Sequence, residues 1–155
     1  MTPSDMSGLA ALLSSGRHAQ LESKARELLD RNPDSGIAWQ ILALALTRQG
    51  KDALHAHEKA AALLPNDPGA HNNLGNALAR RGQLDAAVAS YRRALLLNPH
   101  LAQAHDNLGH SLLDLGRPAE AADSCRRALD IEPRYAEAHD HLGIAFLRLG
   151  RLDEA

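Results

Sequence analysis

The sequence is poor in the residues that usually anchor a compact single core. It has one tryptophan, one phenylalanine and two tyrosines in 155 residues, 3% aromatic in all. β-Branched residues are also scarce, which argues against a sheet. A single cysteine, Cys125, excludes an internal disulfide. No apolar run approaches the length of a membrane span, and Met1 to Ala10 lacks a basic segment followed by an apolar one. The expectation is a cytoplasmic protein without membrane contact. Nor is there an excess of positive charge: the formal net charge is −2, against the basic stripe that a nucleic-acid binder needs. Glycine-rich phosphate loops and catalytic constellations are absent too, so no enzyme activity and no cofactor are expected.

What is present is a period. Gly16, Gly50, Gly82, Gly116 and Gly150 stand 34, 32, 34 and 34 residues apart, and Pro33, Pro65, Pro99 and Pro133 stand 32, 34 and 34 apart. Glycine after a last helical turn tolerates a left-handed backbone, and proline cannot continue a helix. Each unit therefore reads helix, Gly turn, helix, Pro turn. First helices fall near 5–15, 35–49, 68–81, 101–115 and 135–149; second helices fall near 18–31, 51–63, 84–97 and 118–131. From Gly50 to Pro65 the interval is 15 residues where the other units have 17, which places a two-residue loss just after Gly50. Asp67-Pro68 reads as an N-cap followed by proline at the first helical position.

The apolar pattern agrees. His71, Leu74, Gly75 and Leu78 lie on one helical face, as do His105, Leu108, Gly109 and Leu112, then His139, Leu142, Gly143 and Phe146, and earlier Trp39, Leu42, Ala43 and Leu46. The Gly or Ala after each leucine lets two helices approach closely. On the second helices Ala87, Tyr91 and Ala94 form the facing stripe, with Ala121, Cys125 and Ala128 as counterparts. These residues resemble the tetratricopeptide repeat, W-x₂-L-G-x₂-Y then A-x₃-F, A and P. The match spans nearly the whole chain and is weakest in the first unit, where Leu21, Ala25 and Leu28 fill the second-helix positions. The resemblance implies an all-α tetratricopeptide solenoid: about four and a half helix-turn-helix repeats in a right-handed superhelix, with first helices lining a concave groove. One array over 1–155 is expected, with repeats at about 2–35, 36–67, 68–101, 102–135 and a truncated 136–155.

The groove face would carry Asn72, Asn73, Asn76 and Arg80, then Asp106, Asn107, His110 and Asp114, then Asp140, His141, Ile144 and Arg148; the second unit offers Gln40, Ile41, Leu44 and Arg48. Such a face suits a protein or extended peptide as partner. Asn73 and Asn107 recur at 34 residues. A primary amide both donates and accepts, so it pairs with any peptide backbone. With helices roughly 8–10 Å apart and an extended chain rising about 3.3 Å per residue, one amide per repeat meets every third peptide unit. The segment from Ala70 to Asn76 is similar to repeats of O-linked N-acetylglucosamine transferases, and that resemblance implies an asparagine ladder for extended substrates. Only two rungs are present, because Ile41 and His141 hold the flanking places. The alternative function is accordingly the substrate arm of a larger O-linked glycosyltransferase. Resemblance to chaperone-tail adaptors implies a carboxylate clamp. Asn76 and Asn107 match its two asparagines, but Asn72, Glu137 and His141 stand where cations are expected, which disfavours that ligand.

The nine histidines do not form a metal set. His71, His105 and His139 share the position of Trp39 and are explained by packing, and His55 and His57 point in different directions. His110 and His141 fall on the groove side, where titration would make binding pH-sensitive; ordinary solvated polarity is the plainer reading. Arg92-Arg93 and Arg126-Arg127 read as a solvated convex face. The fifth unit stops before most of its second helix, so the chain reads as a fragment of a longer protein. Its Leu142, Phe146 and Leu149 are expected to lie exposed and to drive weak self-association.

Overall fold

The computed structural model describes residues 3–150, with side chains described from residue 7 onward. Among these residues there are nine helices and no strand: α1 (Pro3–Ser14), α2 (His18–Arg31), α3 (Gly36–Arg48), α4 (Leu54–Leu63), α5 (Pro68–Arg80), α6 (Leu84–Leu97), α7 (Ala102–Asp114), α8 (Pro118–Ile131) and α9 (Ala136–Leu149). The five periodic glycines all have φ of 68–72°, a left-handed conformation that favours glycine over residues with a Cβ. Asp67 caps α5 as its side chain accepts from the Gly69 amide at 2.8 Å, with Pro68 in the first helical position.

One boundary differs from the sequence reading. α4 has 10 residues where α2, α6 and α8 each have 14. The two-residue deletion does not shorten the turn after Gly50; it removes the first turn of the helix. Lys51 is held outside the helix by Glu22, Nζ to Oε2 at 2.7 Å, Asp52 accepts from the Leu54 amide at 3.2 Å, and Ala53 is buried.

The helices gather into two compact units, Met1–Pro65 and Asn66–Ala155. In the first, Leu21, Ala25, Leu28, Leu42 and Leu46 form the core, with Trp39 and Ile41 packed against it. In the second, α5 pairs with α6, α7 with α8, and α9 packs on α8 and α7. The small residues set these pairings. A Cβ on Gly75 would stand 2.5 Å from the Tyr91 ring, and one on Gly109 would stand 2.6 Å from the Cys125 sulfur. Both neighbours are buried, so the glycines are the space into which the second helices press.

Candidate ligand-binding face

The predicted face residues of the second unit do not share one environment. Asn73, Arg80, His110, Asp114, Asp140 and Arg148 are exposed, while Asn76, Asn107 and His141 are half-buried. Asn72 and Asp106 depart from the sequence reading: each is only 4% exposed, so neither lines an open groove. The reason is lateral. Asn107 Nδ2 donates to Asn72 Oδ1 at 3.3 Å, and His141 Nδ1 donates to Asp106 Oδ1 at 2.7 Å. Both bonds span 35 residues, one repeat plus one position. Arg148 repeats the offset by donating to the Leu113 carbonyl. Part of the supposed ligand face thus joins one hairpin to the next. The two asparagine rungs differ for the same reason: Asn73 is exposed, and Asn107 spends a donor on Asn72.

Between α5 and α7 the remaining polar groups surround a depression of about 340 Å³ lined by Asn76, Arg80, Tyr91, Asn107, His110 and Asp114. The Tyr91 hydroxyl donates to Asn76 Oδ1 at 2.8 Å. That bond occupies the amide oxygen and leaves the Asn76 NH₂ as the group free to donate. Burial pushes the Tyr91 phenol up to about 12, against the opposing effects of Ser111 and Arg80. The phenol therefore remains a donor throughout the neutral range. His110 stacks on His141, with ring centroids 4.6 Å apart at 12°, and its Nε2 lies 3.7 Å from Asp114. Arg80 has no ion-pair partner among the described residues. Together these groups offer directed donors, one cation and one carboxylate, a set complementary to peptide backbone and mixed polar side chains.

The first-unit positions are less polar. Gln40, Ile41 and Leu44 are half-buried and Arg48 is exposed. The histidines at the Trp39 position do more than pack. Trp39 Nε1 donates to the Pro33 carbonyl at 2.8 Å, and the Nε2 atoms of His105 and His139 reach the carbonyls of Pro99 and Pro133 at 3.0 Å each. A ring nitrogen six residues after the turn proline caps that proline's carbonyl. The signal was in the sequence, since indole or imidazole recurs at this distance from every turn proline.

Two other expectations are corrected. Phe146 is 4% exposed and not part of an open stripe; α9 packs on α8 and α7, and the Arg126 guanidinium lies 5.1 Å from the Phe146 ring centroid. Arg126 is accordingly not simply solvated. Leu142 is half-buried, and the apolar exposure of α9 sits on Leu147, with Ile144 and Leu149 beside it. Cys125 is fully buried, and burial first, then the charge of Asp106, pushes its thiol up to about 12. Among the described residues no group of three or more His, Cys, Asp or Glu side chains could hold a metal ion. None of the described helices is long and apolar enough to cross a membrane.

Paired antiparallel helices, glycine-ended first helices and a repeated lateral bonding pattern define a helical-repeat protein. The chain belongs to the tetratricopeptide repeat family, whose profile matches residues 10–71 and 107–155. A second profile of the same description matches residues 58–89, and a TPR repeat profile matches 75–116. Solved structures agree on the fold. MamA superposes with a TM-score of 0.87 at 22% identity, covering 93% of this chain and 85% of that one. YrrB, described as a TPR protein with an unusual peptide-binding site, gives 0.83 at 19% identity, covering 94% and 76%. The pilF protein of Pseudomonas aeruginosa gives 0.82 at 20% identity, covering 95% and 68%. No curated protein sequence matches the chain.

Proposed function

We propose that the chain is a non-catalytic protein-interaction module that holds an extended segment of another protein on the first-helix face of residues 66–155. The observation that supports it is the depression between α5 and α7, where Asn76, Arg80, Asn107, His110 and Asp114 converge on one concavity. The Tyr91 bond fixes the Asn76 amide so that its NH₂ serves a peptide carbonyl. Asn73, exposed one turn before Asn76 on α5, extends the same line of donors. YrrB, similar in fold, is named for a peptide-binding site, and repeat proteins as a class present such faces to partners.

A photo-cross-linker placed at position 73 recovers the partner, and calorimetry then measures its affinity for wild type, Asn73→Ala and Asn76→Ala. Each lost neutral hydrogen bond is expected to weaken binding by about 0.5–1.5 kcal/mol. Equal affinity for all three proteins refutes this reading. Asn107→Ala is a poorer probe, because it also removes the bond to Asn72.

A further inference from the structure

A second concavity of this unit lies away from that face. A groove of about 610 Å³ runs between α6 and α8 and is floored by α7, with Leu95, Leu96, Pro99, Leu108 and Leu112 as its apolar lining. His105, Leu108 and Leu112 lie on the opposite side of α7 from Asn107, His110 and Asp114, so the two concavities are separate. Leu96 stands 76% exposed at the edge of the groove, the most exposed of the large apolar side chains among the described residues. A lone exposed leucine is ordinary; one that borders an apolar trough of this size extends it.

Two arginines, Arg92 and Arg127, and two acids, Glu120 and Asp123, stand on the rim. Glu120 pairs with Arg92 at 3.1 Å and with Arg117 at 2.7 Å, and Asp123 faces Arg126 at 3.5 Å. Both acids are thus matched within the chain. Arg127, also on the rim, has no ion-pair partner among the described residues. The groove therefore offers apolar walls and an arginine with no ion-pair partner among the described residues.

We propose that this groove is a second docking site, for a segment of a partner protein that carries apolar side chains flanked by a carboxylate. The apolar side chains fill the trough between Leu95, Leu96, Leu108 and Leu112, and the acid pairs with Arg127. Apolar anchors supply the affinity, and the rim charge selects the sequence beside them.

Selection of a phage-displayed random dodecapeptide library on the immobilised full chain tests this. Clones are kept that bind wild type and fail on Leu96→Glu. Both Leu96 and Arg127 are surface residues, and far-UV circular dichroism checks that each variant folds; Leu96→Ser stands in if Leu96→Glu does not. The expected clones share apolar residues next to Asp or Glu, and their synthetic consensus binds wild type at least about tenfold tighter than the Leu96 variant. Selection on Arg127→Glu should exchange the acid for Lys or Arg. The proposal is overturned if no Leu96-dependent clone emerges, or if such clones keep the same charge pattern on Arg127→Glu. Self-association in sedimentation velocity that disappears in Leu96→Glu would assign the groove to a second copy of the chain and overturn it equally.

Discussion

The His141 imidazole meets the Asp106 carboxylate at 2.7 Å across neighbouring first helices, in the same place where Asn107 meets Asn72. The two pairs are one contact written in different side chains. Asp106 is buried, so Asp106→Ala leaves His141 without its acceptor and is expected to cost about 1–3 kcal/mol. The double change Asp106→Asn with His141→Asn rebuilds the Asn72–Asn107 arrangement and should cost less than Asp106→Ala. Urea denaturation of the three proteins measures both; equal losses would show that the pair is not interchangeable.

Gly109→Ala should destabilise by about 1–3 kcal/mol, the range for overpacking a tight core, because the new methyl meets the Cys125 sulfur at 2.6 Å. Combining it with Cys125→Ala should lose less than the sum of the two single changes, since the sulfur is the closest obstacle. Some cost persists, because the Ala121 carbonyl lies at 3.3 Å from the same point. Strict additivity of melting data would contradict the contact.

The Cys125 thiol is pushed up to about 12, chiefly by burial. Since the thiolate is the reactive form, the folded protein should be inert to a disulfide reagent at pH 8. One equivalent should react promptly after urea is added. Fast reaction of the native protein would overturn the assignment.

Burial lowers the His105 pKa below its ordinary 6.5, Pro99 opposing and Arg127 assisting. The fold therefore prefers the neutral ring. Its contribution to stability is present above the unfolded value and is lost as pH falls through the folded one. His105→Trp keeps an N–H for the Pro99 carbonyl, as Trp39 does for Pro33, but cannot titrate. The melting temperature of that variant should fall less between pH 7 and pH 5 than that of wild type.

Glu22 gives a second, more acidic limb. Its carboxylate accepts from Lys51, Arg26 and Gln49, and these bonds, Lys51 first, hold its pKa at about 2 against an ordinary 4.5. A depressed carboxylate stabilises the fold above its unfolded value, and that stability disappears as pH falls from about 4.5 toward about 2. Glu22→Gln should be less stable than wild type at pH 7, and the difference should narrow at pH 3.

Much of the fold could be read from the sequence because its determinants are local. A glycine that must take positive φ, a proline that must end a helix, and a glycine opposite Tyr91 or Cys125 each act within one hairpin. The face was less legible. Helical periodicity says which side of α7 Asp106 occupies, but its burial depends on where α9 lies, which no single-helix pattern contains. Phe146 failed for a related reason: its cover includes a guanidinium from α8, and an arginine on a second helix reads as solvated until the neighbouring ring is placed. The shortened α4 was visible as a deletion, though its position depended on Glu22 capturing Lys51 from another hairpin.

The capping of proline carbonyls determines where one hairpin's inheritance begins. His105 belongs to α7, yet the atom it secures, the Pro99 oxygen, lies in the linker before that helix. A cut between them, at the helix boundary where a recombinant chimera would naturally be joined, takes the acceptor from one parent and the donor from the other. The segment that travels intact begins at the proline, so a repeat joined at Asn98–Pro99 carries its own bond, whereas one joined at Leu101–Ala102 keeps it only where the incoming array also places an indole or imidazole six residues after the proline.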